Sequence, residues 1–233
     1  MKIKILLIFF SIFLILNGFS QTKPFRFGFK VAPNLAWITP DTKNYSNEGP
    51  VLGFSWGFLA DFTLTENYFI KTGFNIDYLN GKLKYPYAIV LSPDTVASTG
   101  EMVRKYNLRY IEIPLTIKMR TNQFNKMVFF GEIGFGSAFL LKAKSQDDFR
   151  YNDGNSNYKT DDNNISDDMK FFRGGLIVGA GIEYFIDEST SLMFSLNFNN
   201  GLTNIFKGEN TVDPSLKEKG TLNYFVFNFG VMF

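Results

Sequence analysis

Cysteine and histidine are both missing from this 233-residue chain. Without cysteine the chain has no disulfide and no thiolate metal site. Without histidine it lacks Ser-His-Asp catalysis, the histidine-dependent mechanisms of proteases and acyltransferases, and imidazole ligands for a metal. The sequence shows no other pairing of a nucleophile with a base. We therefore expect no enzyme, no cofactor, and no catalytic or metal-binding residue.

Long apolar runs are also scarce, since only residues 5–16 (ILLIFFSIFLIL) form one. That run is far shorter than the ~20 residues that a membrane-spanning helix needs. Two lysines precede it, and small residues stand at positions −3 and −1 of a cut before Gln21. We expect a cleaved signal peptide over residues 1–20, rather than a transmembrane anchor, and one mature domain over residues 21–233.

Neither sign of charge is in excess once that segment is removed. The full sequence has 24 Lys and Arg against 22 Asp and Glu, and Lys2 and Lys4 lie in the predicted signal peptide. The mature protein is therefore formally neutral, and no basic stripe remains for a nucleic acid. We expect no nucleic-acid partner.

Most of the mature chain alternates between apolar and polar residues with a period of two, which is the pattern of a β-strand with one apolar face. The ending LNYFVFNFGVMF is the clearest case, because Phe225, Phe227, Phe229 and Phe233 share one face. Eight such segments are present: residues 25–38, 51–64, 68–79, 105–120, 128–142, 171–185, 190–203 and 222–233.

Two architectures accommodate eight alternating strands. A lipocalin-like barrel holds apolar residues inside, whereas an outer-membrane barrel turns them towards lipid. The polar face here carries both signs of charge and many glycines, which suits a narrow lumen, and the apolar face is rich in Phe, Leu and Ile. We predict an all-β fold, an eight-stranded antiparallel up-and-down transmembrane β-barrel of the outer-membrane type. The lipocalin-like arrangement is the alternative.

The links between the segments sort by length. Residues 39–50, 80–104, 143–170 and 204–220 form long links, and the three links between them in the chain are short. Outer-membrane barrels have short periplasmic turns and long extracellular loops. We therefore expect a protein of the cell outer membrane with both termini in the periplasm and the long loops outside the cell.

The terminal residue suggests a first partner. Phe233 resembles the terminal aromatic signal that the barrel-assembly machinery reads, so we expect that machinery to recognise it. The apolar face should contact outer-membrane lipid.

Ten charged residues fall on the predicted lumen face. They could form a catalytic carboxylate pair, an ion pathway, or a network of ion pairs that fills the barrel. Buried charges must be paired, and an eight-stranded interior is just wide enough for side chains, so we favour the network. The ten are Arg26, Lys30, Asp61, Lys71, Asp77, Glu112, Lys118, Glu132, Arg173 and Glu183.

Two further features call for a local interpretation. Pro114 donates no ladder hydrogen bond, so we expect it at a bulge or at the rim. Residues 144–170 are rich in Asp and Asn; they could hold calcium, but the ligand spacing of a calcium loop is missing, and we favour a flexible solvated loop. The candidate calcium ligands are Asp147, Asp148, Asp153, Asp161 and Asp162. Asp94-Thr95-Val96 resembles a short O-glycosylation acceptor.

Several segments together resemble a known family. FRFGFKVAPNLA, LTENYFIKTGF, GEIGFGSAFLLKAK, GGLIVGAGIEYFI and above all YIEIPLTIKM (from Tyr110) are similar to the PorT-like outer-membrane β-barrels of Bacteroidetes. This resemblance implies an eight-stranded barrel in the outer membrane. One founding member is similar to components of type IX secretion and gliding, which implies a protein partner of that kind.

The leading functional hypothesis is therefore a non-enzymatic outer-membrane barrel whose extracellular loops bind a partner or a surface component. The alternative is a small porin for passive transport of ions or small solutes.

Overall fold

The computed structural model describes residues 24–89, 98–152 and 157–233. The predicted signal peptide, the Asp94-Thr95-Val96 segment and Asp153 lie outside these residues. The described chain forms β1 (Phe25–Pro40), β2 (Ser46–Asn47), β3 (Val51–Thr65), β4 (Tyr68–Ile89), β5 (Ser98–Arg120), β6 (Met127–Tyr151), β7 (Asn157–Asn164), a 3-10 turn (Ser166–Asp168), β8 (Phe172–Phe185), β9 (Ser191–Gly201) and β10 (Gly220–Met232). Its helical content includes no segment long and apolar enough to cross a membrane.

The strands pair in one antiparallel sheet. The ladders join β1 to β3, β3 to β4, β4 to β5, β5 to β6, β6 to β8, β8 to β9, β9 to β10, and β10 back to β1. Each of these eight long strands therefore has a partner along both edges. The short β2 pairs with β4, and β7 pairs with β6. The expected number of eight strands is corrected to ten, because β2 and β7 form within predicted loops.

Side chains alternate across this sheet with the apolar residues outside. Phe29 and Leu115 are each 60% exposed, whereas Lys118 and Glu183 have no exposed surface. The exposed residues form a surface that we call the apolar belt: Phe27, Phe29, Trp56, Phe74, Ile113, Leu115, Ile117, Ile133, Phe135, Val178, Phe194, Leu196, Phe227 and Phe229. This orientation contradicts the lipocalin-like alternative, in which the same residues would be buried.

The two ends of the sheet differ. At the short-turn end, tight turns join β3 to β4, β5 to β6 and β8 to β9. At the opposite end, which we call the extended end, β4, β5 and β6 run on to lengths of 22, 23 and 25 residues. Much of the predicted loops 80–104 and 143–170 is therefore strand, and the expectation of a flexible solvated loop after residue 143 is wrong.

The reason for that error is a reversal of polarity along the strands. At the extended end most inward residues are apolar, as with Leu83, Tyr106 and Phe149, and all three are buried. Their outward neighbours, such as Lys82 and Lys105, are polar. The period of two continues, but the inward face changes from polar to apolar and the outward face from apolar to polar. A strand prediction that follows one apolar outer face therefore ends the strand too early.

The inward apolar residues form a hydrophobic core at the extended end, which we call the upper core. Two residues of the β9–β10 link, Ile205 and Phe206, are buried in it, so this link covers the end of the sheet. The upper core comprises Ala32, Ala36, Ile38, Leu79, Leu83, Tyr85, Met102, Tyr106, Leu108, Tyr110, Ala138, Ala143, Phe149, Ile165, Met169, Ile205, Phe206, Leu222, Tyr224 and Val226.

Phe149→Ala should loosen the extended end without opening the rest of the sheet. The Phe149 ring is fully buried and packs 4.8 Å from the Tyr151 ring and 6.2 Å from the Tyr87 ring. Its loss should cost about 3–5 kcal/mol of local stability. Limited proteolysis read by mass spectrometry should show new cuts in β6 and β7, with the heat-modifiable gel mobility retained. Tyr158→Ala, at an exposed residue of β7, is the control, and an unchanged cleavage pattern in Phe149→Ala would contradict the expectation.

Candidate functional site

The ten charged residues predicted for the lumen face all lie on the inward face of the sheet. Nine are buried and Lys30 is half-buried. Two more inward cations were not predicted as members of this group. Arg120 follows Lys118 on the same face of β5, and its side chain is 9% exposed. Arg104 lies further along that face, at the extended end. The period-2 pattern of β5 would have predicted an inward position for both arginines, because each is an even number of residues from Lys118.

Glu183 is the centre of the first group of charges, near the short-turn end. Its carboxylate accepts from Lys118 Nζ at 2.5 Å, from Arg26 Nη1 at 2.9 Å and from Arg120 Nη2 at 2.5 Å. Asp61 accepts a second bond from Lys118 at 2.7 Å. These residues come from β1, β3, β5 and β8, so the group links strands that are not neighbours in the sheet. It therefore crosses the interior rather than following the wall.

The second group lies in the middle of the interior. Lys71 Nζ donates to both oxygens of Glu132, at 3.0 and 2.8 Å. Thr116 and Asn197 donate to the same carboxylate from two other strands. Both Lys71 and Lys118 also approach the ring of Phe130, at 5.9 and 4.4 Å from its centroid. The carboxylate is thus fully engaged by donors, as a buried charge requires.

Arg173 organises the third group, next to the upper core. Its guanidinium donates to the Leu222 carbonyl at 2.7 Å and to Asn199 Oδ1 at 2.7 Å. It also lies 3.6 Å from Glu112, which accepts from the Tyr224 hydroxyl at 3.0 Å. Eight of the ten predicted residues thus form ion pairs across the interior, as the network interpretation expects. Lys30 donates to Asn228 instead, and Asp77 forms no ion pair with any residue that the structure describes.

A small cavity separates the second and third groups. It measures about 30 Å³, which is room for about one or two water molecules. Asn75, Asp77 and Asn197 each turn an oxygen with no protein hydrogen-bond partner towards this polar region. A water molecule could donate hydrogen bonds to these oxygens, but a cavity of this volume is too small for a larger solute. Among the described residues, no three acidic side chains come close enough together to hold a metal ion.

The acidic residues of the 144–170 segment do not converge. Asp147 faces inward and accepts from Arg104 at 2.7 and 2.8 Å. Asp148 lies 3.5 Å from Lys159, and Asp162 pairs with Lys144 on the outer surface. Asp161 is exposed. The structure thus separates the residues that were considered as calcium ligands.

Pro114 lies in the middle of β5, not at its rim. The β4–β5 ladder is interrupted beside it, because pairs are formed at Lys71–Thr116 and Asn75–Glu112 but not between. The register is the same on both sides of the interruption, so the predicted bulge is absent here. Gly73 opposite has φ +139°, and the Thr72 hydroxyl donates to the Pro114 carbonyl at 2.8 Å. A side chain thus supplies part of the bonding that the ladder omits.

A model of the outer membrane protein beta-barrel domain family matches residues 19–207. The fold is similar to OprG from Pseudomonas aeruginosa (10% identity, 91% of this chain and 97% of that one, TM-score 0.49). It is also similar to neisserial surface protein A (14%, 90% and 96%, 0.41) and to the outer membrane protease OmpT from Escherichia coli (9%, 93% and 99%, 0.37). No curated protein matches the sequence.

The family match supports an all-β antiparallel fold of the outer-membrane barrel type and a location in the outer membrane. The expected location in the outer membrane is therefore confirmed, without the orientation of the termini. The PorT-like subdivision and the bacterial group stay predictions.

Glu183→Ala should destabilise the sheet strongly. The change leaves Arg26, Lys118 and Arg120 with one carboxylate fewer between them, in a region where Lys118 has no exposed surface. Breaking a buried pair in this way costs roughly 3–5 kcal/mol. Urea unfolding in detergent, followed by the gel shift of the folded form, measures the loss. Glu188→Ala, at an exposed turn residue, should leave the curve unchanged. Equal stability of the two variants would refute the role of the network.

Proposed function

Because the chain belongs to the outer membrane protein beta-barrel domain family, we propose that it is a non-enzymatic integral membrane protein that presents its extended end to a partner at the cell surface. The observation that carries this proposal is the length of β4, β5 and β6. They have 22 to 25 residues, whereas about 9–11 residues of a tilted strand cross a bilayer.

The eight long strands form the proposed transmembrane wall. On β5 the outward residues are apolar over residues 111–119, which matches the width of a bilayer core. Residues 98–110 of the same strand then continue for roughly 40 Å along its axis, with Lys105, Asn107 and Arg109 facing outward. This change of outer surface supports a membrane boundary at about Ile111. In the proposed orientation both termini are periplasmic and the extended end is extracellular.

The extended end has the properties of a rigid binding platform. The Tyr45 and Tyr85 rings stack with centroids 4.5 Å apart. Tyr45 donates to Glu218 at 2.7 Å and accepts from Asn210 at 2.9 Å, so the β9–β10 link is attached to the long strands. A surface held in this way loses little conformational freedom on binding. The resemblance to PorT-like barrels suggests a protein partner in secretion or gliding.

The interior argues against an enzyme. The carboxylates of Asp61, Glu132 and Glu183 are occupied by lysine and arginine side chains, and the cavity beside Glu132 has a volume of about 30 Å³. A peptide or lipid substrate cannot enter such a space. The network is therefore proposed as the packed interior of the barrel.

Assembly is proposed to use the last strand. The backbone N–H of Phe233 donates to the Phe27 carbonyl at 2.7 Å, and the two rings lie 5.6 Å apart. Phe233 thus lies at the junction of β10 with β1, and we retain it as the residue that the barrel-assembly machinery recognises.

The porin alternative makes an opposite prediction for conductance. Three charged groups cross the interior, and the upper core fills the extended end, so we expect no continuous water path of solute size. In planar bilayers the purified protein should show no stable single-channel currents, beside a known porin of similar purity as the positive control. Steady, voltage-independent channels would overturn the binding role in favour of passive transport.

The lack of native cysteine permits a direct test of the platform. A single Tyr158→Cys residue on β7 should react with a membrane-impermeant maleimide on intact cells, whereas Glu188→Cys at the short-turn end should not. A photo-crosslinker attached at position 158 should yield an adduct of defined mass. This adduct should disappear when Phe149→Ala loosens the platform, and should persist with Glu188→Ala. Labelling at position 188 instead, or no adduct at position 158, would contradict the proposal.

A further inference from the structure

Basic side chains collect on the outer wall just beyond the apolar belt. Arg109, Lys142 and Lys144 line an open groove of about 190 Å³, together with Tyr78, Asn80, Asn107 and Leu108. Arg109 and Lys142 are register partners on β5 and β6, and both are exposed. We call this groove the basic groove.

A β-bulge creates this arrangement. The β5–β6 register shifts between Arg109 and Tyr110, which pair with Lys142 and Leu140, so Leu141 is the extra residue. The shift turns Lys142 outward, although strict alternation from Glu132 would point it inward. Bulges re-aim side chains in this way and are frequent next to functional sites.

Among the described residues, Arg109 and Lys142 in the basic groove have no compensating carboxylate, whereas Lys144 pairs with Asp162. Like charges at directly opposite strand positions destabilise a sheet, yet Arg109 opposes Lys142 and, four residues further from the belt on β5, Lys105 opposes Lys82. Within the described part of the chain, none of these four cations forms an ion pair with a carboxylate. Neighbouring cations on the same strands are paired, as in Lys84–Glu101 at 2.9 Å. An anion from outside the protein would relieve both repulsive pairs.

The surroundings of the groove identify the kind of anion. Tyr78 and Asn80 also line an adjoining apolar groove with Leu52, Phe54 and Trp56. Leu52 is 70% exposed, and this apolar groove lies beside the basic one, on the β3 side of β4, and reaches the apolar belt at Trp56. A cationic groove beside an apolar groove, at the edge of the belt, is complementary to a lipid with a phosphorylated headgroup and acyl chains. A soluble anion or an acidic protein would leave the apolar part unused.

We propose that the basic groove binds the headgroup phosphate of an anionic lipid in the outer leaflet, with its acyl chains along Leu52, Phe54 and Trp56. Arg109 supplies a planar guanidinium suited to bidentate phosphate contact, held 4.6 Å from the Tyr78 ring. Lys142 supplies the second charge. The assignment to the outer leaflet rests on the extracellular orientation of the extended end proposed above.

Trp56 serves as the reporter for this site. The chain has two tryptophans, and Trp37→Phe leaves Trp56 alone. The variant is reconstituted in bilayers of phosphatidylcholine with brominated acyl chains, which quench Trp56. Unbrominated phosphatidic acid is added as the phosphorylated probe, and unbrominated phosphatidylcholine as the neutral one. Phosphatidic acid should restore the fluorescence at several-fold lower mole fraction, because it displaces the brominated lipid from the groove.

Removing the two groove cations distinguishes binding at this site from a general attraction of the protein to anionic lipid. Arg109→Gln with Lys142→Gln should abolish the preference for phosphatidic acid, with about a fivefold loss for each cation removed. Lys126→Gln, an exposed lysine at the short-turn end, should leave it unchanged. Equal recovery by both lipids in the Trp37→Phe protein, or a preference that survives the double change, would overturn the proposal. Reversal of the preference by millimolar inorganic phosphate would also overturn it, by showing a site for a free anion.

The test does not depend on which way the protein faces, because the probe is present in both leaflets. Its failure is therefore distinct from a failure of the proposed function. If phosphatidic acid is preferred but the cysteine at position 188 is the one labelled on intact cells, the orientation fails and the outer-leaflet assignment is overturned with it.

Discussion

The pairing of β1 with β10 is the interaction on which the other features depend. The two strands join residues from opposite ends of the described chain, from Gly28–Met232 to Pro40–Gly220. In hydrocarbon every backbone polar group must be bonded within the protein, so a sheet can lie in a bilayer only when no long strand has an open edge. With that ladder formed, one face of the sheet is enclosed. The enclosed face can then hold charges such as Glu183 and Arg173, which have no exposed surface.

Enclosure also explains why one strand has apolar residues outward along one part of its length and apolar residues inward along the other. Beside the apolar belt, the environment outside is apolar and the narrow interior is polar. At the extended end the environment outside is water, and the interior is the upper core. β5 passes from the first situation to the second between Ile111 and Arg109, and its inward residues change from Glu112 to Tyr110 and Leu108 at the same level. The reversal in the sequence of a single strand thus marks where the outer solvent changes.

We assign different roles to the charges of the interior and to those of the outer surface: stability for the first and recognition for the second. The interior charges are engaged with one another across strands, and we propose that this network closes the path through the sheet. Arg109 and Lys142, which form no ion pair among the described residues, lie outside. The bulge at Leu141 adds Lys142 to Arg109 at the edge of the belt, which is the level of the lipid headgroups in the proposed placement. The platform formed by β4 to β7 lies further from the belt than these two cations. Both proposed binding surfaces therefore include β4, β5 and β6, the strands whose lengths the sequence pattern underestimated most.

The sequence by itself determined the eight long strands, the outward apolar face and the ten inward charges, because a period of two assigns every residue to a face once one is known. It predicted that Glu183 would need partners, but not which, since Arg26 and Lys118 come from β1 and β5, 157 and 65 residues away in the chain. Only the tertiary structure decided the extensions of β4 to β6, the added strands β2 and β7, and the outward position of Lys142. The bulge is not visible in the order of residues along one strand. The reversal of polarity can be assigned to a continuing strand only when the pairing of β4, β5 and β6 beyond it is known.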